Sequence, residues 1–320
     1  MYHPYFRGRQ FELIAVRESA NLLKSAGFRP IIEPVRSDFG SLHKALDAIV
    51  AADGNAIVII NPQNGELSGG TTPLTSEPLS DFLNVQFPDS KNISIGILLK
   101  QEMNLKEITA CYKEHEDRTP VLIHAGFSNA KDLVEELGEQ TKEHRHVFDA
   151  PSCGKLYQRH FKDAFRILLK DGFKRRLNNK EYPRLEPFSD LHVTFPDEGM
   201  DGFGDFLIVG SDYSDAGTVP YTLAIHLTFI DPDQDNSMQI YHFKSKPHIT
   251  QKDPGGKFAE ALDDMMETLD SPDSNILETA AVKEFRELHA KKHFPGLGHI
   301  KKLSMTHHLE TLANYFQTVG

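Results

Sequence analysis

Apolar segments of strand length recur eight times within the first 210 residues, and most run into a polar residue and then a helix-like stretch. The first few segments are spaced by about 25–35 residues, which is the length of a βα unit. Repeated βα units form a parallel sheet, and eight of them close into a barrel with the helices outside. The chain is therefore predicted to be an α/β protein with a (β/α)8, TIM-barrel-like fold.

The segment 56–60 illustrates the pattern, because it is nearly all β-branched, as expected for a strand buried on both faces. The predicted strands cover residues 2–7, 28–33, 56–60, 93–99, 121–124, 146–148, 165–169 and 206–209.

Three regions depart from the alternation. Residues 174–204 are polar and rich in Pro, Asp and Gly, which indicates a long ordered insertion, or a lid, before the last strand. Residues 221–230 and 238–243 alternate like a β-hairpin, although one of them could instead close the barrel. The remaining chain is predicted to be helical. We expect a barrel domain at 1–250, with the hairpin and the insertion, and a helical C-terminal segment at 251–320 packed on it.

Composition narrows the class of protein. The formal net charge of −11 disfavours broad binding to nucleic acid, which needs clustered Lys and Arg. Cys111 and Cys153 form no CxxC pair and no disulfide framework, which favours a reducing compartment. The N-terminus lacks the apolar core of a signal peptide, and no apolar run is long enough to span a bilayer. These features predict a cytoplasmic protein without a membrane partner.

Polar residues that follow the strands should converge on one rim of the barrel, where the active sites of this fold lie. Carboxylates and a histidine there could do acid–base chemistry, and cations and amides could hold an anion. The predicted catalytic residues are Glu33, His124, Asp149 and Asp212. The predicted ligand-binding residues are Arg7, Arg9, Glu12, Asn61, Gln63, Lys100 and Lys170. The alternative is that strands end in polar residues because loops are solvated. The residues identify no cofactor and no metal-ligand set, although a divalent metal ion would be compatible with the carboxylates.

Two arginines flank a glycine at the first strand-to-helix turn. Gly8 would let the backbone approach a ligand, and Arg7 and Arg9 could bind phosphate or carboxylate with two hydrogen bonds each. Alternatively, Arg7 forms a structural ion pair with Glu12 or Glu33. Glu33 is then either the partner of an arginine or a general base.

Two further features are weaker. His144 and His146 share a strand face as a zinc pair would, but they begin the sixth strand, at the end opposite the expected site. Cys153 has no assignable base, so we do not expect it to be a nucleophile.

The N-terminal sequence contains Tyr2-x-Pro4-x-x-Arg7-Gly8-Arg9-Gln10-x-Glu12-Leu13-x-Ala15-Val16 and then Pro30-Ile31-Ile32-Glu33-Pro34. Together with a late Met305-x-His307-His308-Leu309, this sequence resembles the beta-protein family of phages and bacterial mobile elements. The resemblance implies a barrel-like fold and a setting in a mobile-element or phage-defence gene cluster, beside nuclease-like partners. It supplies no catalytic residues.

Two functions follow as hypotheses. In the first, the barrel binds an anionic ligand, such as a nucleotide, a phosphate ester or a nucleic-acid end; an enzymatic version would be a hydrolase. In the second, the protein is a non-enzymatic scaffold or regulator that binds a partner protein encoded nearby, such as a nuclease.

Overall fold

The computed structural model describes residues 1–68, 77–88, 90–118, 120–214, 219–247 and 250–319. The chain forms two compact units, each built from two chain segments. The first unit comprises Met1–Lys170 and Thr194–Asp205, and the second comprises Asp171–Val193 and Phe206–Gly320.

The first unit contains an eight-stranded parallel sheet. The strands are β1 (Tyr5–Phe6), β2 (Ile31–Ile32), β3 (Ala56–Ile59), β4 (Ile93–Lys100), β5 (Val121–Ala125), β6 (Arg145–Asp149), β7 (Phe165–Leu169) and β9 (Gly202–Gly204). The last strand returns to the first through a parallel bridge between Tyr2 and Phe203 and a hydrogen bond from the Tyr5 N–H to the Asp205 carbonyl at 2.9 Å. The sheet is therefore a nearly closed barrel, which confirms the predicted α/β, TIM-barrel-like fold.

Helices follow most of these strands. They are α1 (Gln10–Glu18), α2 (Ala20–Ser25), α3 (Gly40–Ala51), α4 (Glu77–Gln86), α5 (Leu105–Glu114), α6 (Ala130–Leu137), α7 (Gln140–Glu143) and α8 (Lys155–Gln158), with α9 (Leu191–Thr194) preceding β9. In α3 the buried residues Leu42, Ala45, Leu46 and Ile49 fall on one helical face. A capping box between Asn104 and Glu107 fixes the start of α5.

The eighth barrel strand is Gly202–Gly204, not residues 206–209 as predicted from their apolar sequence. A Cβ atom on Gly204 would lie 2.4 Å from the His3 carbonyl oxygen, so this strand can approach the first one only without a side chain there. Residues 207–209 form a turn instead, and Leu207 has a φ of +49°.

The second unit is a three-stranded antiparallel sheet with three long helices. Its strands are β8 (Leu185–Ser189), β10 (Ala224–Asp231) and β11 (Ser237–Lys244), in the order β10-β11-β8. Its helices are α10 (Pro254–Leu269), α11 (Ala280–Lys291) and α12 (Leu297–Val319). The predicted hairpin, the insertion before the last barrel strand and the helical C-terminal region are thus confirmed.

The compact units do not divide near residue 250, where the sequence placed the boundary. The reason is apolar packing, because Leu227 and Phe229 of the hairpin share one buried core with Phe285 of α11 and Leu303 of α12. The insertion supplies β8 to the same unit. No helix in the described ranges could cross a bilayer.

Candidate functional site

The register of the strands identifies which side chains face the barrel interior. Paired residues in a parallel sheet point to the same side, and successive residues alternate. The ring of His124 in β5 contacts Tyr157 and Phe161, which lie in the helical segment after β6, so His124 faces outward and Ile123 faces inward. The register of each strand pair then identifies the inward-facing residues of the neighbouring strands. We call the C-terminal ends of the strands the mouth of the barrel. The inward-facing polar residues there form the mouth cluster, which consists of Tyr5, Arg7, Glu33, Asn61, Lys100 and Asp149.

Glu33 is the centre of the mouth cluster, and its side chain is fully buried. Its Oε1 accepts hydrogen bonds from the backbone N–H groups of Gln63 and Asn64 at 2.9 and 3.1 Å. The Asn64 amide donates to both carboxylate oxygens, and the Tyr5 hydroxyl donates to Oε2 at 2.9 Å. The Arg7 Nε lies 3.9 Å from Oε2. With so many donors, Glu33 fixes the positions of its neighbours, and its predicted role as a general base stays a prediction.

Arg7 is held by the turn that follows β1. Glu12, in the first turn of α1, accepts a hydrogen bond from the Arg7 backbone N–H at 2.5 Å, so its buried carboxylate closes the turn. Gly8 has a φ of +55°, and a Cβ there would lie 3.0 Å from the Glu33 carbonyl oxygen. The close packing of the two backbones therefore favours glycine at this position. Arg7 pairs with Glu33 and also faces the mouth, so the structure is compatible both with a structural ion pair and with ligand binding by Arg7.

Asn61 and Lys100 come from neighbouring strands. The Asn61 side chain exchanges hydrogen bonds with the backbone of Leu98, so it continues the pairing of β3 and β4 two residues beyond Ile59. Gln63 reaches the mouth cluster through its backbone, and its side chain is exposed. Lys100 is half-buried, and its Nζ donates to the Pro62 carbonyl at 3.4 Å. Burial lowers the pKa of Lys100, and the charges of Glu102 and Glu33 oppose that shift.

Asp149 ends β6 on the inward side and accepts a hydrogen bond from the Ser152 hydroxyl at 2.5 Å. The pKa of the Tyr5 phenol is raised far above its ordinary value, first by burial and then by the charges of Glu33 and Asp149. The electrostatic coupling places these two carboxylates around the same phenol. Tyr5 was not selected from the sequence, although it lies two residues before Arg7 and so on the same side of its strand.

His124 lies apart from the mouth cluster. Its Nδ1 is 2.7 Å from the Tyr157 hydroxyl, and its Nε2 is 3.0 Å from Nδ1 of His146, whose Nε2 meets the Thr141 carbonyl. Both rings are fully buried, and burial holds the pKa of His124 well below its usual range. The sequence predicted His124 on the rim because it ends an apolar run. Side chains alternate along a strand, however, and that of His124 points outward, towards the helical segment after β6.

The remaining predicted residues are dispersed. Lys170 follows β7 directly and has an exposed side chain, and Arg9 lies half-buried at the start of α1. Asp212 belongs to the second unit, where it is exposed and 4.0 Å from Arg175. The sequence predicts Asp212 near the end of a last strand at 206–209, but the last barrel strand ends at Gly204 and is followed by Asp205. Asp205 is buried and accepts a hydrogen bond from the Tyr2 hydroxyl at 2.7 Å.

The Cys153 thiol is buried and is not activated as a nucleophile. Burial raises the pKa of the Cys153 thiol to about 12, and its Sγ donates to the His124 carbonyl. Among the described residues, no group of three or more His, Cys, Asp or Glu side chains is arranged to hold a metal ion.

The second unit has a cavity of about 220 Å³, lined in part by Arg184, His242 and Lys244. The Arg184 guanidinium is paired with Asp264 at 2.5 and 2.6 Å. The Lys244 ammonium donates to the carbonyls of Lys180 and Tyr182. The chain therefore supplies acceptors for these two cations.

Comparison with protein-family models, with curated proteins and with solved structures finds no match for this chain.

Proposed function

We propose that the barrel mouth binds a small anionic ligand, such as a nucleotide, another phosphate ester or a nucleic-acid end. The observation that carries the proposal is Lys100. Its ammonium group is half-buried on the inward side of the mouth, and within the described ranges it has one hydrogen-bond acceptor, at the long distance of 3.4 Å. An ammonium group has three N–H donors, so a ligand oxygen would complete its hydrogen bonding.

The neighbours of Lys100 favour an anion with further polar contacts. Glu33 positions the Arg7 guanidinium at the same mouth, and guanidinium groups suit the oxygens of phosphate and carboxylate. Asp149 is a half-buried carboxylate beside the Tyr5 phenol and is the candidate base for hydrolysis of a bound ester. In such a reaction Lys100 and Arg7 would bind the phosphate oxygens and Asp149 would activate a water molecule, so no side chain of the protein would act as the nucleophile.

Thermal stability measured against a panel of ligands tests the binding. The panel contains nucleoside mono-, di- and triphosphates, a sugar phosphate and a 5′-phosphorylated oligonucleotide. One of these should raise the melting temperature of the parent protein. Lys100→Gln should lose about tenfold or more in affinity for it, as expected for removal of a charged hydrogen-bond donor.

Lys113→Gln is the matched control, because Lys113 lies in the last turn of α5, near the opposite end of the barrel, with a side chain 71% exposed. It should bind like the parent. Equal affinity of Lys100→Gln and Lys113→Gln would refute a mouth site, and release of phosphate or alcohol that depends on Asp149 would establish the hydrolase version.

The second unit supports a second candidate, the binding of a partner protein encoded nearby. The Leu177 side chain is 97% exposed, and Tyr221 is 54% exposed. Strand β8 lies at the edge of its sheet, and among the described residues its strand partner is β11 alone. Open sheet edges and exposed apolar groups are common sites of protein association.

Co-purification of the chain with the product of a neighbouring gene tests this candidate. Leu177→Asp should weaken the complex, whereas Leu156→Asp, at an 80% exposed position of the first unit, should not. If the chain elutes alone when it is co-expressed with the products of the neighbouring genes, the result would count against the scaffold function.

A further inference from the structure

Three polar side chains face the barrel interior at the N-terminal ends of the strands. His3 lies two residues before Tyr5, Arg29 two before Ile31, and Arg145 two before Val147, so all three share the inward side of the mouth cluster. Backbone hydrogen bonds continue the sheet to this level, as shown by the bond from the Arg29 N–H to the Tyr2 carbonyl at 3.1 Å. We call His3, Arg29 and Arg145 the floor cluster.

The two arginines come from opposite walls. Strands β2 and β6 are four positions apart in the eight-stranded barrel, so Arg29 and Arg145 enter the interior from opposite sides at the same end of the barrel. An eight-stranded barrel is just wide enough for its side chains to fill. The imidazole of His3 is fully buried and interacts electrostatically with both arginines.

In the part of the chain that the structure describes, the two arginines of the floor cluster have no counter-charge. Among the described residues, neither guanidinium has a hydrogen-bond acceptor or an ion pair. Arg145 stacks on the Phe165 ring at 4.8 Å, and its Nε is buried without a hydrogen bond. The pKa of Arg29 is lowered to about 10, by burial first and then by the charge of Arg145. Partly buried charges in proteins are normally paired, as Arg7 and Arg184 are in this chain.

His3 adds one acceptor. Its Nδ1 lies 3.1 Å from the Arg29 carbonyl, which can only accept, so Nδ1 carries the proton of the neutral ring. The Nε2 lone pair is then an acceptor, and this atom is buried with no hydrogen-bond partner among the described residues. The floor cluster therefore places two guanidinium groups and one hydrogen-bond acceptor on the inward side of the barrel at the N-terminal ends of the strands.

We propose that the floor cluster is a binding site for a phosphate group. A tetrahedral oxyanion has enough oxygens to accept hydrogen bonds from guanidinium groups on opposite sides, whereas a carboxylate has only two. Phosphate near neutral pH also carries an O–H that can donate to the Nε2 of His3. Sulfate has the same shape and no such proton, so it leaves Nε2 without a partner. This site lies at the opposite end of the barrel from the mouth cluster and does not depend on the function proposed there.

Calorimetric titration with inorganic phosphate and with sulfate at pH 7 tests the site on the full chain. Phosphate should bind, and sulfate should bind about tenfold more weakly because a buried acceptor stays unpaired. Arg145→Gln and Arg29→Gln should each weaken phosphate binding about 30-fold or more, as expected for loss of one partner of a buried charged contact.

A control variant locates the effect. Arg17→Gln removes an arginine that is 42% exposed on the outside of the barrel, and it should bind inorganic phosphate like the parent. Arg145→Lys keeps the charge and loses the planar group, so it serves if Arg145→Gln does not fold, and it should bind with intermediate affinity. No binding of phosphate to the parent, or equal binding by the parent and both Arg145 variants, would overturn the proposal.

The His3 resonances supply a second measurement. Bound phosphate should raise the pKa of His3 in NMR titrations of the parent and leave it unchanged in Arg145→Gln, because the anion favours the imidazolium form. Glycerol phosphate identifies the source of the phosphate. Binding comparable to that of inorganic phosphate supports a site for the end of a phosphate ester, and binding of inorganic phosphate alone supports a site for the free ion.

Discussion

The two ends of the barrel handle buried charge in opposite ways. At the mouth, Glu33 accepts hydrogen bonds from two chain segments, β1 and the loop at Gln63 and Asn64, and Arg7 lies beside it. At the floor, Arg29 and Arg145 face each other with no carboxylate near either among the described residues. The Glu33 carboxylate accepts its hydrogen bonds from within the chain, and these bonds stabilise the turns around it. Within the described residues the floor cluster has no such acceptor, and this is the basis for the anion site that we propose there.

The largest effect that separates the two ends is expected for Glu33→Ala. It removes the acceptor of the Tyr5 hydroxyl and of the Gln63 and Asn64 amides, and it leaves Arg7 without the carboxylate. We expect a loss of about 3–5 kcal/mol in the free energy of unfolding, measured by urea denaturation. Glu135→Gln, in an exposed pair with Lys131, should differ little from the parent. A small effect of Glu33→Ala would mean that the mouth network is not structural.

The loop that brings Asn64 to Glu33 depends on Gly65. Its φ is +74°, and an added Cβ would lie 2.2 Å from the Val35 carbonyl oxygen. Gly65→Ala should therefore cost about 2–4 kcal/mol, combining backbone strain with the clash. Gly27→Ala is the control, since Gly27 has a φ of +66° and nothing within 4 Å of the added atom. It should cost about 1 kcal/mol from strain alone, and equal losses for both variants would remove the steric argument.

Acid should destabilise the folded chain in part through His3 of the floor cluster. The pKa of His3 lies well below its ordinary value because of burial and then the charge of Arg29, so the unfolded chain takes up this proton at a higher pH than the folded chain does. The contribution of His3 to stability is therefore full above about pH 6.5 and is lost as the pH falls. In phosphate-free buffer, His3→Gln should reduce the slope of unfolding free energy against pH by about 1.4 kcal/mol per unit below pH 6. An unchanged slope would show that His3 does not stay neutral in the folded chain.

The smallest expected effect is that of Arg145→Gln on stability without phosphate. The variant loses the contact with Phe165 and relieves the repulsion of Arg29, and each contribution is about 1 kcal/mol or less. We expect the free energy of unfolding to stay within about 1 kcal/mol of the parent value. A loss as large as that of Glu33→Ala would show that Arg145 is paired within the fold.

Most of the barrel could be predicted from apolar runs, because parallel strands buried on both faces leave a strong signal. The run at 165–169 coincides with β7, and the run at 56–60 contains β3. The eighth strand could not be found in this way, because Gly202 and Gly204 have low strand propensity. Glycine fits at these positions because the backbone of the first strand lies too close for a side chain. The apolar residues 206–209 were the misleading signal.

The candidate site was predictable in part for the same reason. Strand ends indicated Arg7, Glu33, Lys100 and Asp149, which the barrel brings to one mouth. His124 was misplaced because a strand that is apolar on both faces gives no clue to which side chain faces inward. Arg29 and Arg145 lie at the starts of strands, where sequence reasoning for this fold does not look for function.

The segments of the two units alternate along the sequence. The chain leaves the barrel at Asp171, returns for Thr194–Asp205 and leaves again at Phe206. On the ribosome, β8 must therefore wait without a partner until β11 has been made, and the barrel cannot close until β9 emerges. Neither unit can be excised as one continuous fragment, because residues 1–170 lack β9 and residues 206–320 lack β8. Separating the two by genetic engineering will require a circular permutation or a linker that bypasses the other unit.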